Sequence, residues 1–311
     1  MFQKDSGWKS VDQTLKDQIF DFSEGYKDFL NRGKTERLSC DVALTMAKEQ
    51  GYENLEEKTS LKAGDKVYLV NRNKNLFLAI IGREDVEKGI SFVISHIDCP
   101  RIDLKQNPVY SDSGLSLFKT HYYGGIKKYQ WTAIPLALHG VVMKANGESV
   151  AISIGDEPDD PVLYITDLLP HLATDQMQKK ATEIIGGEAL NILAGSLPDA
   201  DAEQDAEKAA LLKLLEEKYG ICEEDFLSAE LEAVPAFPAK DVGFDRSMVG
   251  AYGHDDRVCA YTSLMALFET ESPKKTAVCL LTDKEEIGSM GSTGMRSAFF
   301  AAGASFTGLP R

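Results

Sequence analysis

Apolar positions in the first fifty residues recur every three or four places, the spacing of one helix face. In "VDQTLKDQIFDFSEGYKDFLNR" they are Leu15, Ile19, Phe22, Tyr26 and Phe29. In "GKTERLSCDVALTMAKEQGYENL" they are Val42, Met46 and Ala47, with Gly51 placed to cap the second helix. The period then shortens. "KVYLV" and "LFLAIIG" are β-forming runs around the polar "NRNKN", which predicts a hairpin. "ISFVIS" predicts another strand, running into His96-Ile97-Asp98.

From about residue 101 to 244 the pattern is that of antiparallel strands, as in "SLFKTHYYGGIKKYQWTAIPLALHGVVM", "SVAISIG" and "FLSAELEAVPAF". One acidic helix interrupts them, "PDADAEQDAEKAALLKLLEEKYG". Its inner face is Ala209, Leu212, Leu215 and Tyr219, and Gly220 ends it. Beyond residue 244 a helix carrying Val258, Tyr261, Met265 and Phe268 leads into the strand "TAVCLLT". The predicted fold class is therefore α/β: residues 1–100 and 245–311 form one domain, interrupted by a β-rich domain at 101–244.

Composition narrows the function classes. A formal charge of −15 over 311 residues argues against nucleic acid or an anionic membrane surface as a partner. No apolar run approaches the roughly 20 residues that span a bilayer, and "MFQKDSGWKSVDQ" lacks the apolar core of a signal peptide. Five scattered cysteines, Cys40, Cys99, Cys222, Cys259 and Cys279, read as reduced thiols, so a cytoplasmic protein is expected. The tripeptide Gly33-Lys34-Thr35 is not a phosphate loop, because Asp28 stands where that motif needs a glycine.

Candidate chemistry collects at strand ends, where ligands gather in open α/β sheets. Residues i and i+2 of an extended chain share a face, so Asp98 is placed to hydrogen-bond the far nitrogen of His96 and fix its tautomer as a metal ligand. The alternative is a surface histidine with an acid nearby. Asp255 and Asp256 precede a helix, and Asp256 alone fits an ordinary N-cap. In "AVCLLTDKEEIGSMGS", Glu285 and Glu286 follow an apolar strand directly. Imidazole and carboxylate donors suit zinc, or cobalt and manganese. Of two adjacent glutamates, one can hold a metal while the other handles a proton.

The segments "SHIDCPRIDLK", "KTHYYGGIKKYQW", "LPHLA", "SAELEAVPAF", "GHDDRV" and "TDKEEIGSMGSTG" resemble, in order from about residue 30 to 300, the aminopeptidase I/aspartyl aminopeptidase family of dinuclear zinc exopeptidases. The resemblance implies a catalytic α/β domain, a central mixed sheet flanked by helices, interrupted by a β-rich dimerisation domain. It also implies dimers assembling into a tetrahedral homo-oligomer, a dodecamer. It makes His96 a metal ligand, Asp98 its orienting acid, Asp255 a bridging ligand, Glu285 the general base and Glu286 a terminal ligand. His171 would reach a neighbouring subunit's substrate site. Two Zn2+ per site and peptide substrates follow, with a neutral or broad N-terminal preference; Lys119, Lys127 and Lys128 are the candidates for an acidic one.

Family members continue past "GSTGM" with a further Asp and a further His ligand, whereas no histidine follows His254 here. A truncated product is expected, weakly active or inactive, with the sheet's last strands missing and apolar surface exposed at its edge. The closing "AAGASFTGLPR" does not resemble the helix expected there. A catalytically dead scaffold and a two-metal deacylase of N-acylated amino acids are the alternative functions.

Overall fold

The computed structural model describes residues 6–306. Helix α1 (Gln13–Arg32) begins at Asp12, whose side chain accepts from the Leu15 amide, and α2 (Glu36–Glu49) begins at Thr35, which does the same for Leu38. Then come β1 (Glu53–Asn54), β2 (Lys66–Asn71), β3 (Asn75–Ile80) and β4 (Ser91–His96). The β2–β3 connection turns at Arg72 and Asn73, both at φ +53, as the twist of a tight hairpin demands. The antiparallel run follows as β5 (Arg101–Asp112), β6 (Leu115–Tyr123), β7 (Leu136–Met143) and β8 (Ser149–Ile154). After α3 (Thr174–Met177) and β9 (Ile192–Gly195) come α4 (Ala206–Tyr219) and β10 (Ala229–Pro235). The hairpin β11 (Lys240–Val242) and β12 (Met248–Gly250) leads to α5 (His254–Phe268), β13 (Ala277–Thr282) and α6 (Phe299–Phe306).

The chain forms two compact units, each described by itself. One comprises residues up to Ile97, Pro238–Asp283 and those from Ser297 on; the other comprises Asp98–Phe237 and Lys284–Arg296. In the first, a mixed sheet runs β1-β2-β3-β13-β4, with β13 antiparallel to β3 and parallel to β4. One face buries Leu76, Leu78, Ile80, Cys279 and Leu281 against Phe29, Leu30, Ala43, Ala47, Ala260 and Leu264 of α1, α2 and α5. On β4, the edge strand of this sheet, Phe92, Val93 and Ile94 are exposed, and Phe92 stacks on Phe300 of α6 at 5.1 Å.

Three sequence expectations need correction here. Leu15 and Phe22 belong to the α1 stripe, yet both are exposed; Tyr26, Phe29 and Leu30, in its last two turns, are buried. Spacing identifies a face, not how far along the helix a partner extends. On α5 the buried face is Arg257, Ala260, Tyr261, Leu264 and Leu267, while Val258 is exposed. An arginine inside the stripe hid the true face from an apolar count. Residues 299–306 are helical, where no helix was expected; residues 307–311 of that stretch lie outside the described residues.

The second unit is a six-stranded sheet, β8-β7-β10-β5-β6-β9, antiparallel throughout. A polar row crosses it. His121 lies opposite Asp103, Asp103 opposite Glu232, Glu232 opposite His139, and His139 opposite Ser153. Buried Arg101 ties the row together, donating from Nε to Asp103 at 2.8 Å and pairing through Nη2 with Glu232 at 2.9 Å. His139, 2 % exposed, sits 3.0 Å from the Asp156 carboxylate through Nε2 and 3.2 Å from Ser153 Oγ through Nδ1. α4 has no fully buried residue; Ala209, Leu212, Leu215 and Tyr219 are half-buried, and Gly220 closes it at φ +63.

Candidate metal centre

His96 is the last residue of β4, held in register opposite Thr282 of β13. The next amide, of Ile97, donates to Thr282 O at 2.9 Å, so strand pairing continues past the histidine and fixes its backbone. Asp255 stands at the head of α5. Gly253 takes a left-handed conformation at φ +86, and Asp255 and Asp256 are joined by a cis peptide, both with non-helical backbone angles. His254, between Gly253 and Asp255, shares a 2.8 Å hydrogen bond with Tyr26 Oη. These turns leave the Asp255 carboxylate exposed with Oδ1 3.3 Å from His96 Nε2.

That separation fits one metal ion. Two donors at about 2.0–2.1 Å from a tetrahedral zinc lie roughly 3.3 Å apart. An imidazole nitrogen and a carboxylate oxygen are also the donors that suit it. Asp256, also non-helical, directly precedes the regular helix, and its carboxylate beside Cys259 holds that thiol above its ordinary range.

Arg257, which follows the acidic pair, is fully buried. Its Nε donates to Ile97 O at 3.2 Å and its Nη2 to Lys34 O at 2.9 Å. One guanidinium therefore braces the carbonyl beside His96 from the same helix that carries Asp255. Sequence reading passed over it; the arginine directly after two acids at a helix start is the signal that was available.

In the second unit, Asp98 is fully buried and its carboxylate is saturated with donors. It accepts from the Glu285 amide at 3.1 Å, the Glu286 amide at 3.2 Å and Tyr123 Oη at 2.7 Å. Glu285–Ile287 form a short 3-10 turn between Lys284 at φ +73 and Gly288 at φ +85. The Glu285 side chain is exposed and that of Glu286 half-buried. Adjacent residues on such a turn point in different directions, so the two carboxylates have separate surroundings. His171 stands in the same unit on an exposed turn beside Leu169 and Leu172. Of the three lysines proposed for acidic substrates, Lys119 lies over the Tyr110 ring, Lys128 over the Tyr122 ring, and Lys127 is exposed.

Sequence reading grouped His96 and Asp255 with the glutamate pair and gave Asp98 to His96; the structure sets His96 beside Asp255, and Asp98 accepts from the Glu285 and Glu286 amides. It missed Tyr123 and Arg257, which act on backbone and second acids and carry no donor that spacing alone would single out.

The family model described as "Aminopeptidase I zinc metalloprotease (M18)" matches residues 29–302. The chain is 52 % identical over 299 residues to a probable M18 family aminopeptidase 1 of Borrelia garinii subsp. bavariensis, covering 96 % of this chain and 65 % of that protein. It is 49 % identical over 300 residues to the corresponding protein of Clostridium acetobutylicum, covering 95 % and 64 %. The crystal structure of an M18 family aminopeptidase from Thermotoga maritima superposes with a TM-score of 0.94 at 42 % identity, covering 99 % of this chain and 67 % of that one. The chain thus spans about 65 % of the length of the curated relatives it matches. With a family match over nearly its whole length and relatives at about half identity, the chain belongs to the M18 family, the aminopeptidase I zinc metalloproteases.

Proposed function

We propose that this chain carries the metal centre of an aminopeptidase that removes N-terminal residues from peptides. The observation that carries the reading is the His96–Asp255 pair, set at the spacing of two ligands on one ion. We assign His96, Asp255 and Glu286 to hold it, imidazole and carboxylate donors of the kind that zinc takes. Chain connectivity supports Glu286: it follows Thr282 by four residues, and Thr282 is the strand partner of His96. Bound zinc would supply Lewis acidity toward the scissile carbonyl and make water a nucleophile near neutral pH.

The protein's own groups do the rest. Glu285, exposed on its turn, takes the proton from the attacking water and returns it to the leaving amine. Asp98, by accepting from both amides of the turn, sets where the Glu285 carboxylate stands. His171 acts at the substrate site of a second copy, and the six-stranded unit that carries it is the dimerisation domain of a homo-oligomer. Support for assembly is the exposed apolar surface around that histidine, Leu168, Leu169 and Leu172; a distant structural relative from yeast is described as a dodecamer.

The test is hydrolysis of aminoacyl-4-nitroanilides by the purified chain with zinc. Weak turnover at most, abolished by 1,10-phenanthroline and restored by zinc, is expected, with leucyl or alanyl substrates preferred over aspartyl. Tight zinc binding without turnover of any aminoacyl substrate would overturn the activity for this chain and leave a metal-binding scaffold.

A further inference from the structure

The end of β6 is built against the glutamate turn. Tyr123 Oη donates to Asp98 Oδ2 at 2.7 Å, and the same Oδ2 receives the Glu286 amide. The Tyr123 ring is itself clamped: the Arg101 guanidinium lies 3.9 Å from its centroid, and Lys284 Nζ, on the residue before Glu285, lies 5.3 Å from it. Arg101 in turn is fixed by Asp103 and Glu232. Gly124, at φ +70, comes so close that a Cβ there would meet Glu286 Cβ at 3.1 Å and its Oε2 at 3.4 Å. All these groups belong to the six-stranded unit.

We propose that Tyr123 is a positioning residue for Glu285 and Glu286, acting through Asp98, with Gly124 leaving the room that Glu286 occupies. This rests on the metal-centre reading for its effect on the metal, though not for its effect on the turn. A buried carboxylate has several lone-pair directions, and two amides alone leave it free to tilt. The tyrosine hydroxyl supplies a third donor from a rigid strand. The stacked guanidinium prevents the ring from rotating away, and the sheet behind it is anchored by the polar row. Loss of the hydroxyl would loosen Asp98, and the Glu285–Glu286 amides would follow it. Groups that orient metal ligands are typically worth about 10–100-fold in metal affinity.

Tyr123→Phe keeps the ring and removes only the donor. Hydrogen–deuterium exchange on the metal-free chain is expected to quicken roughly tenfold in peptides covering residues 284–288, the scale of one charge-assisted hydrogen bond. Tyr122→Phe, an exposed neighbour, is expected to leave exchange unchanged. Zinc affinity by chelator competition is expected to fall about tenfold in Tyr123→Phe, and also in Gly124→Ala. Unchanged exchange in Tyr123→Phe overturns the proposal whatever the metal does. Faster exchange with undiminished zinc affinity, while Glu286→Gln loses zinc, overturns the link to the ligand. If neither His96→Ala nor Glu286→Gln weakens zinc binding, the metal-centre reading fails, and the exchange experiment still decides whether Tyr123 holds the turn.

Discussion

His96 and Asp255 stand 3.3 Å apart, Nε2 to Oδ1, one nearly buried at a strand end and the other exposed at a helix head. An exposed carboxylate gains little by holding one geometry beside an imidazole. A shared cation, as proposed for the metal centre, would give the pair a reason.

Metal binding is therefore expected to depend on both. His96→Ala and Asp255→Asn should each weaken zinc binding by at least about 100-fold, as loss of a direct ligand must exceed the loss of a group that orients one. Chelator competition monitors the affinity, and circular dichroism verifies that the fold persists.

Glu285→Gln separates chemistry from binding. The variant is expected to take up as much zinc as the parent and to lose about 10²–10⁴-fold in kcat, the range for a general acid–base group. Loss of zinc in this variant would reassign Glu285 as a ligand.

Gly140 tests the six-stranded sheet. It sits in β7 opposite Leu231 at φ +147, and a Cβ there would lie 1.8 Å from the Glu230 carbonyl oxygen. Gly140→Ala is expected to cost at least about 2 kcal/mol, combining backbone strain with displacement of the neighbouring strand. Denaturant midpoints with unchanged m-values would report it.

Asp241 predicts a pH dependence. Lys27 donates to one of its oxygens at 2.5 Å and Arg246 to the other at 2.6 Å. The Lys27 hydrogen bond first, then that of Arg246, holds the Asp241 carboxyl below its ordinary range, and Asp241 in return raises Lys27. A depressed acid stabilises the fold above its unfolded value of about 3.9, and the contribution disappears as pH falls through the lower folded value. The raised lysine contributes below about 10.4 and stops contributing as pH climbs through its folded value. Lys27→Met should therefore be less stable at neutral pH and show a shallower acid decline below about pH 4. Urea midpoints from pH 2 to 8 measure both.

Much of this was legible beforehand because strand ends and helix heads leave strong marks. The run "ISFVIS" stops at His96, and residue types alone mark its end as a candidate site. The α5 face could not, because a buried arginine counts as polar in any pattern. Asp98 could be flagged as an orienting acid, but not as the acceptor for two amides 187 and 188 positions away. Such contacts depend on how a turn folds back, and local periodicity does not encode that. The assignment of Lys284–Arg296 to the β-rich unit, with its division at Asp283/Lys284, was likewise invisible. It depends on which neighbours a segment packs against, and composition there changes little.

The polar row across the six-stranded sheet also guards assembly. A slip of β10 by one residue would carry Glu232 to the opposite face. Arg101, 3 % exposed, would then lose that carboxylate and keep only Asp103, and removing a partner from a buried charge is destabilising. His139 would face the wrong neighbour at the same moment. Apolar strands accept many sliding partners; this row accepts one. The row thereby ties the sheet to a single alignment, since any shifted register separates charges that the native one pairs.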